Sequence, residues 1–360
     1  MNDNKTEIMD MNQAELENWM LTQVQPPFRA RQIYKWIYQK DVNSFYDMSD
    51  LPKDLRAHFD SIAAISFPRF IKQRASADGS RKFLLELKDK KRVETVLIPH
   101  SEDAAYSICL STQIGCPIGC SFCATGQSLF QRNLTASEIT GQVLSSRREL
   151  ARKVKQTEAA LISNVVYMGM GEPLLNYDAT VESIYTINEH RGINIGQRHI
   201  TLSTCGEASG IRRLASEGLQ ITLAVSLHAP NDRLRDSLIP INHKYPLAAL
   251  MKAVDEYIMI TNRRVTFEYL LLDQINMQRS HVEELIALVK PRLVNLNLIP
   301  YNEVAGLPFK TPPRSSVEQF YRRLADAGLT VTLRRKYGDD IAAACGQLSA
   351  PVRYGGYRGS

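Results

Sequence analysis

Three cysteines stand within one short stretch, Cys116, Cys120 and Cys123, spaced C-x3-C-x2-C in GCPIGCSFCATG. Three thiols this close commit the loop to one metal centre, and their number restricts which. A structural zinc site closes with four protein ligands. A cubane iron–sulfur cluster takes one cysteine per iron, four in all. Three cysteines therefore leave one iron open to a further ligand. Gly115 and Gly119 allow the tight wrapping that such a loop needs. No histidine lies between His100 and His190 to complete a local zinc site, which argues against a zinc knuckle.

The chain around this loop alternates strand and helix. Apolar, β-branched runs predict strands at SICLST (from Ser107), NVVYMGM (Asn164), HITLST (His199), ITLAVSL (Ile221), VTFEYLLL (Val265), VNLNLIP (Val294) and TVTLRR (Thr330). Helices are predicted from a capping box at Thr135 to Glu138 and over Tyr177 to Glu189, Glu207 to Glu217, Leu247 to Ile260 and His281 to Val289. Six βα units in a row predict a parallel sheet, open or closed as a partial barrel. The polar and glycine-rich residues fall just beyond the strand ends: the cysteine loop, Gly169-Met170-Gly171-Glu172, Ser203, Ser226-Leu227-His228 and Asn302. In a barrel those ends converge on one mouth, which favours a partial barrel.

Composition narrows the setting. With 360 residues and 44% hydrophobic content, the chain can bury one large core plus a small accessory domain. Four of the six cysteines cluster between Cys109 and Cys123, which is a metal or catalytic pattern and not a secreted disulfide framework. No signal-peptide pattern or membrane-length apolar run is present, so a cytoplasmic enzyme is expected. The net charge of +6 is uneven: Arg69 to Glu94 holds 9 Lys and Arg against 4 acids, and Lys310 to Ser360 again 9 against 4. The first basic segment reads as a hairpin around Asp78-Gly79 that could grip RNA phosphates. Tyr34, Trp36 and Tyr38 are stacking candidates, although at helical spacing they read more readily as core.

Eight segments in order carry a resemblance: RVETVLIP around Glu94, SICLSTQIGC around Cys109, CPIGCSFCATG, MGMGEPLLN, ITLSTCG, SLHAPND, LIPYN and GDDIAAACGQL around Cys345. Over almost its whole length the chain resembles the RlmN/Cfr family of radical S-adenosylmethionine (SAM) RNA adenine methyltransferases, and more closely its RlmN branch. The resemblance implies an α/β fold, a radical SAM partial (βα)6 barrel. It places an N-terminal accessory, RNA-binding domain over 1–90, the core over 91–335 and a C-terminal catalytic loop and tail over 336–360. It implies a [4Fe-4S] cluster on Cys116, Cys120 and Cys123, with Gly171, Glu172, Ser203, Ser226, Leu227, His228 and Asn302 as SAM contacts.

The implied activity is methylation of adenine C2 in the peptidyl-transferase centre of 23S rRNA, and of the adenosine 3′ of the anticodon in some tRNAs. C2 lies between two ring nitrogens and is electron-poor, as is the methyl of SAM, so polar transfer between them has no driving force. By the resemblance, Cys345 takes a methyl from one SAM, and a radical from a second SAM activates that methyl to add to C2. Glu94 accepts the C2 proton. Cys109 then attacks the Cys345 sulfur, leaving a Cys109–Cys345 disulfide. A flavodoxin or ferredoxin donor and a monomeric enzyme are expected. Cys205 has no assigned role. Two alternatives stand beside this reading: Cfr-like methylation at C8, and a non-catalytic, zinc-stabilised RNA-binding protein.

Overall fold

A computed structural model describes residues 5–100, 105–153 and 161–349. The first helices are α1 (Gln13–Thr22), α2 (Phe28–Lys40) and α3 (Lys53–Ile62). A parallel pairing of Thr6–Glu7 with Ala63–Ala64 ties the two ends of this helical unit together. Its interior holds Leu16, Met20, Ile33, Ile37, Phe45 and Phe59. Tyr34 and Tyr38 belong to the same interior, with ring centroids 4.4 Å apart. They are therefore unavailable as stacking platforms. Trp36 is half-buried and donates from Nε1 to Asp50 at 2.6 Å.

The rest is built on one ten-stranded sheet. Its strands are β1 (Arg69–Ala75), β2 (Arg81–Glu86), β3 (Arg92–Pro99), β4 (Ala105–Cys109), β5 (Leu161–Tyr167), β6 (Ile200–Thr204), β7 (Thr222–Ser226), β8 (Val265–Leu271), β9 (Val294–Pro300) and β10 (Val331–Leu333). Strand order in the sheet follows the sequence from β1 to β10. The pairings β1–β2, β2–β3 and β3–β4 are antiparallel, and every pairing from β4 to β10 is parallel. Parallel neighbours need long crossovers. Helices supply them: α4 (Ala136–Lys153), α5 (Tyr177–Asn188), α6 (Ala208–Ala215), α7 (Asp232–Leu238) with α8 (Leu247–Thr261), α9 (Arg279–Val289) and α10 (Arg314–Asp326).

Ile108, Val165, Leu202, Leu223, Phe267 and Leu296 on the strands share one buried core with Ile139, Ile184, Ile211, Leu250, Leu285 and Phe320 on the helices. The capping box at α4 forms as expected: Thr135 N–H donates to Glu138 at 3.0 Å and Glu138 N–H to Thr135 Oγ1 at 3.2 Å. The basic hairpin forms as well, and it extends the core sheet. The expected boundary at residue 90 falls between β2 and β3, which are hydrogen-bonded neighbours, so the sheet runs through it. The last basic residues, Arg353 and Arg358, lie outside the described residues. Among the described residues, no helix is long and apolar enough to cross a membrane.

Candidate active site

The carboxyl ends of the parallel strands surround one cavity. Its walls include Cys116, Cys120 and Cys123, then Gly169, Gly171 and Glu172 after β5, Ser203 and Cys205 at β6, and Ser226 and His228 at β7. Glu268 and Leu270 on β8, Tyr301 after β9, Arg334 after β10, and Cys345 complete it.

The cysteine loop owes its shape to glycine and to contacts from the far side of the fold. Gly115 has φ +73, and a methyl group there would lie 2.2 Å from the Leu129 carbonyl oxygen. Ser121 N–H donates to the Leu238 carbonyl at 3.0 Å, and the Tyr301 hydroxyl donates to the Phe122 carbonyl at 3.2 Å. Burial pushes the Cys116 thiol up to about 12 and raises Cys120 and Cys123 too. Burial disfavours their thiolate forms, so these thiols would bind as thiolates only with a cation beside them; the fit to a metal centre rests on three cysteines lining one cavity. Among the described residues, no three His, Cys, Asp or Glu side chains are gathered as a grip on a single ion.

The cavity also fits a polar ligand. His228, with φ +55, is buried, and its Nδ1 accepts the Leu270 N–H at 3.0 Å. Burial lowers its pKa to about 3, so the ring is neutral and its proton sits on Nε2 as a donor. Gly171, with φ +101, leaves no room for a side chain: a methyl group would lie 2.6 Å from Gln113 Cβ. Asn302 Oδ1 is buried without a hydrogen-bond partner beside the adjoining recess. The Arg235 guanidinium gathers the carbonyls of Cys205 at 2.6 Å, Ser226 at 3.2 Å and Leu227 at 3.2 Å, holding the ends of β6 and β7 together.

Cys345 lines both the main cavity and that second recess, which Cys109, Met168, Asn302 and Arg334 also line. The strand register explains the placement. Lys82 pairs with Val96, and Val96 pairs with Cys109, so one rung crosses β2, β3 and β4. Glu94, two residues from Val96, presents its side chain on the same face. Ile341, Ala343 and Leu348 of the C-terminal loop pack on Val96 and Cys109. Across its other side this loop joins the cysteine loop: Ala124 N–H donates to the Gly346 carbonyl at 2.7 Å, and Thr125 Oγ1 to the Leu348 carbonyl at 2.5 Å. The Cys345 thiol is thus held between the three-cysteine loop and Cys109.

Comparison with known proteins now decides the family. Residues 6–65 match the ribosomal RNA large subunit methyltransferase N-terminal domain, and residues 110–289 match the radical SAM superfamily. The chain is 57% identical over 351 residues to a probable dual-specificity RNA methyltransferase RlmN of Syntrophomonas wolfei, covering 97% of this chain and 98% of that one. It is 44% identical to a protein of the same description from Geobacillus kaustophilus, covering 96% and 93%. The chain belongs to the RlmN family. A crystal structure of a radical SAM methyltransferase from Sphaerobacter thermophilus superposes with a TM-score of 0.90 at 40% identity, covering 96% of this chain and all of that one. This RlmN-family chain is a SAM-dependent RNA methyltransferase, and the non-catalytic zinc-protein alternative falls with that result.

Two expected SAM contacts in this RlmN-family site need comment. Leu227 does not line the cavity: its side chain is fully buried, its N–H donates to Glu268 O at 3.0 Å and its carbonyl is taken by Arg235. Glu172 does line it, with both oxygens engaged, by Leu174 N–H at 3.0 Å and Cys205 N–H at 2.7 Å. Glu94, the expected proton acceptor, lies on β3. It is buried between β2 and β4, 3.1 Å from the Lys82 ammonium. That contact also corrects the reading of Lys82 as a phosphate-gripping residue, since it faces inward while Lys72 and Arg74 on β1 are exposed.

Glu268 and Arg235 escaped the sequence reading as site residues, whereas Arg334 is, with Arg335 and Lys336, one of the nearest cations preceding Cys345 in sequence. Burial raises the Glu268 carboxyl, which accepts from Asn297 at 2.8 Å. Arg334 is held more firmly protonated, chiefly by the nearby Cys345. Arg235 sits in an ordinary-looking helical run, and nothing in the sequence marked it.

Proposed function

We propose that this chain methylates C2 of an adenine in the 23S rRNA peptidyl-transferase centre and of the adenosine 3′ of the anticodon in some tRNAs. The observation that carries the reading is the position of Cys345, which borders the cavity of the three-cysteine loop on one side and the Cys109 recess on the other. Two relatives bearing the description dual-specificity RNA methyltransferase support the substrate class.

Cys116, Cys120 and Cys123 would hold a [4Fe-4S] cluster. Gly171, Glu172, Ser203, Ser226, His228 and Asn302 would bind SAM, with the peptide edge at Gly171 and the His228 Nε2–H as donors. When bound, cluster and SAM together supply a hydrogen-abstracting 5′-deoxyadenosyl radical. The chain's residues do the remainder. The Cys345 thiolate, facing the Arg334 cation, would attack the methyl carbon of a first SAM, with S-adenosylhomocysteine leaving, and carry the methyl as a thioether. After the activated carbon has bonded to C2, a free lone pair of Glu94 takes the C2 proton. The Cys109 thiolate attacks the Cys345 sulfur and an S–S bond forms as the S–C bond breaks; the unpaired electron left by radical addition passes to a one-electron acceptor of the flavodoxin or ferredoxin class, and the released CH2 carbon takes a proton to become the methyl of the departing base. A flavodoxin- or ferredoxin-type donor, a monomeric state and a cytoplasmic setting complete the proposal.

The consecutive roles of the two cysteines give the test. Cys109→Ala should accumulate protein joined covalently to RNA, a nuclease-sensitive shifted band absent from Cys345→Ala and from the double mutant. Normal turnover by Cys109→Ala, or a band that survives loss of Cys345, would refute the mechanism. Mass spectrometry of the product base decides the position: 2-methyladenine is expected, and 8-methyladenine would replace the C2 reading.

A further inference from the structure

The loop that carries Cys345 is fastened at both feet by one buried ion pair. Lys82 Nζ lies 3.1 Å from Glu94 Oε1, with both side chains more than nine-tenths buried. The same ammonium donates to the Ala342 carbonyl at 2.8 Å, three residues before Cys345. The other carboxylate oxygen of Glu94 accepts the Ser349 N–H at 2.9 Å, four residues after it. Ala342 has φ +52, a conformation that a non-glycine residue adopts only when its surroundings hold it there. Breaking a buried pair from one side is costly because it leaves a charge uncompensated, whereas exposed pairs such as Arg314–Glu318 contribute little.

We propose that Lys82 and Glu94 form a latch on the Cys345 loop, with Lys82 as a positioning residue, and that proton uptake by Glu94 opens it. This rests on Glu94 being the acceptor of the C2 proton. A carboxylate offers about four acceptor sites, and two are taken here, so a lone pair remains for that proton. Once the proton sits on Glu94, the Ser349 foot loses its anionic partner, and Lys82, still an ammonium, loses the charge that holds it beside the Ala342 carbonyl. No electron moves within the latch. The loop is closed while methyl transfer and addition to the base require Cys345 at the main cavity. It loosens at the step after which Cys345 must meet Cys109, so proton abstraction sets the order of the two events.

Hydrogen exchange on the cluster-loaded chain, without RNA or SAM, tests this. Glu94→Gln mimics the neutral carboxyl at nearly the same volume. It should speed exchange of the amides in 343–349 about tenfold, the scale of a lost charge-assisted hydrogen bond. Lys82→Met should do the same, and the double mutant should exchange no faster than the faster single one, because both remove one shared interaction. Wild-type exchange in Glu94→Gln, or effects that multiply in the double mutant, would overturn the latch. If Lys82→Met does not fold, Glu94→Gln alone decides. The acceptor role is read separately: Glu94→Gln should accumulate the RNA adduct, and normal turnover there would refute that role whatever the exchange result.

Discussion

Two cysteine-bearing loops meet at the barrel mouth; both receive distant contacts, but their thiols are specified in different ways. The loop of Cys116, Cys120 and Cys123 carries its three donors within one stretch, bent by Gly115 where no side chain fits. The loop of Cys345 is bent at Ala342 and Gly346, both in left-handed backbone, and is fixed by residues more than 200 positions away, such as Lys82, Glu94 and Thr125. A site defined by local spacing can be rigid and still bind. A site defined by distant clamps can let go when one clamp changes charge. The difference suits the proposed mechanism, in which the centre holds still beside a thiol that acts twice.

The largest effect expected from this contrast is at the first loop. Replacing any one of Cys116, Cys120 or Cys123 with alanine should abolish SAM cleavage and leave little bound iron. A variant that kept its iron and normal 5′-deoxyadenosine production would remove the cluster assignment. The second loop should instead respond to pH. Burial, with a smaller contribution from Cys345, pushes the Cys109 thiol up to about 12. Its thiolate fraction, and with it the rate of adduct resolution, should rise about tenfold per pH unit through neutrality. SAM cleavage without RNA should not follow that slope, and chasing a preformed adduct at several pH values checks both.

The smallest effect compares one glycine in each loop. Gly115→Ala meets both a left-handed φ and the Leu129 carbonyl, at an expected cost of about 2–5 kcal/mol. Gly346→Ala has the φ penalty alone, since its nearest neighbour would be 3.9 Å away, and should cost about 1–2 kcal/mol. Denaturant titration orders the two, and the reverse order would mean that the second loop is the more tightly packed.

The same contrast explains what could be read from the chain. Strands β5 to β9 begin within a few residues of their expected starts, because β-branched runs bounded by polar residues announce themselves locally. The three-cysteine loop was legible for the same reason. Helix α10, Arg314–Asp326, was missed: it is rich in arginine and serine, and only Val317, Phe320 and Leu324 are buried. Lys82 was misplaced among phosphate contacts because a lysine in a basic run shows nothing of which strand face it occupies. Its inward side is set by pairing with Val96, a long-range fact. Leu227 came with its motif, yet it packs into the core. Cys109 and Cys345 were paired through resemblance, and their shared recess depends on the rung that β2, β3 and β4 form together.

The sheet lays its strands down in the order in which they are synthesised. A nascent chain that has emerged through β10 already possesses the three thiols, the glycine turn after β5 and the neutral histidine. It still lacks Cys345, which follows Cys116 by 229 positions, and the Ser349 amide that fastens the final loop. Cys345 is among the last residues of the cavity wall to be synthesised, and a chain cut before it would keep the three-cysteine loop but lack this thiol.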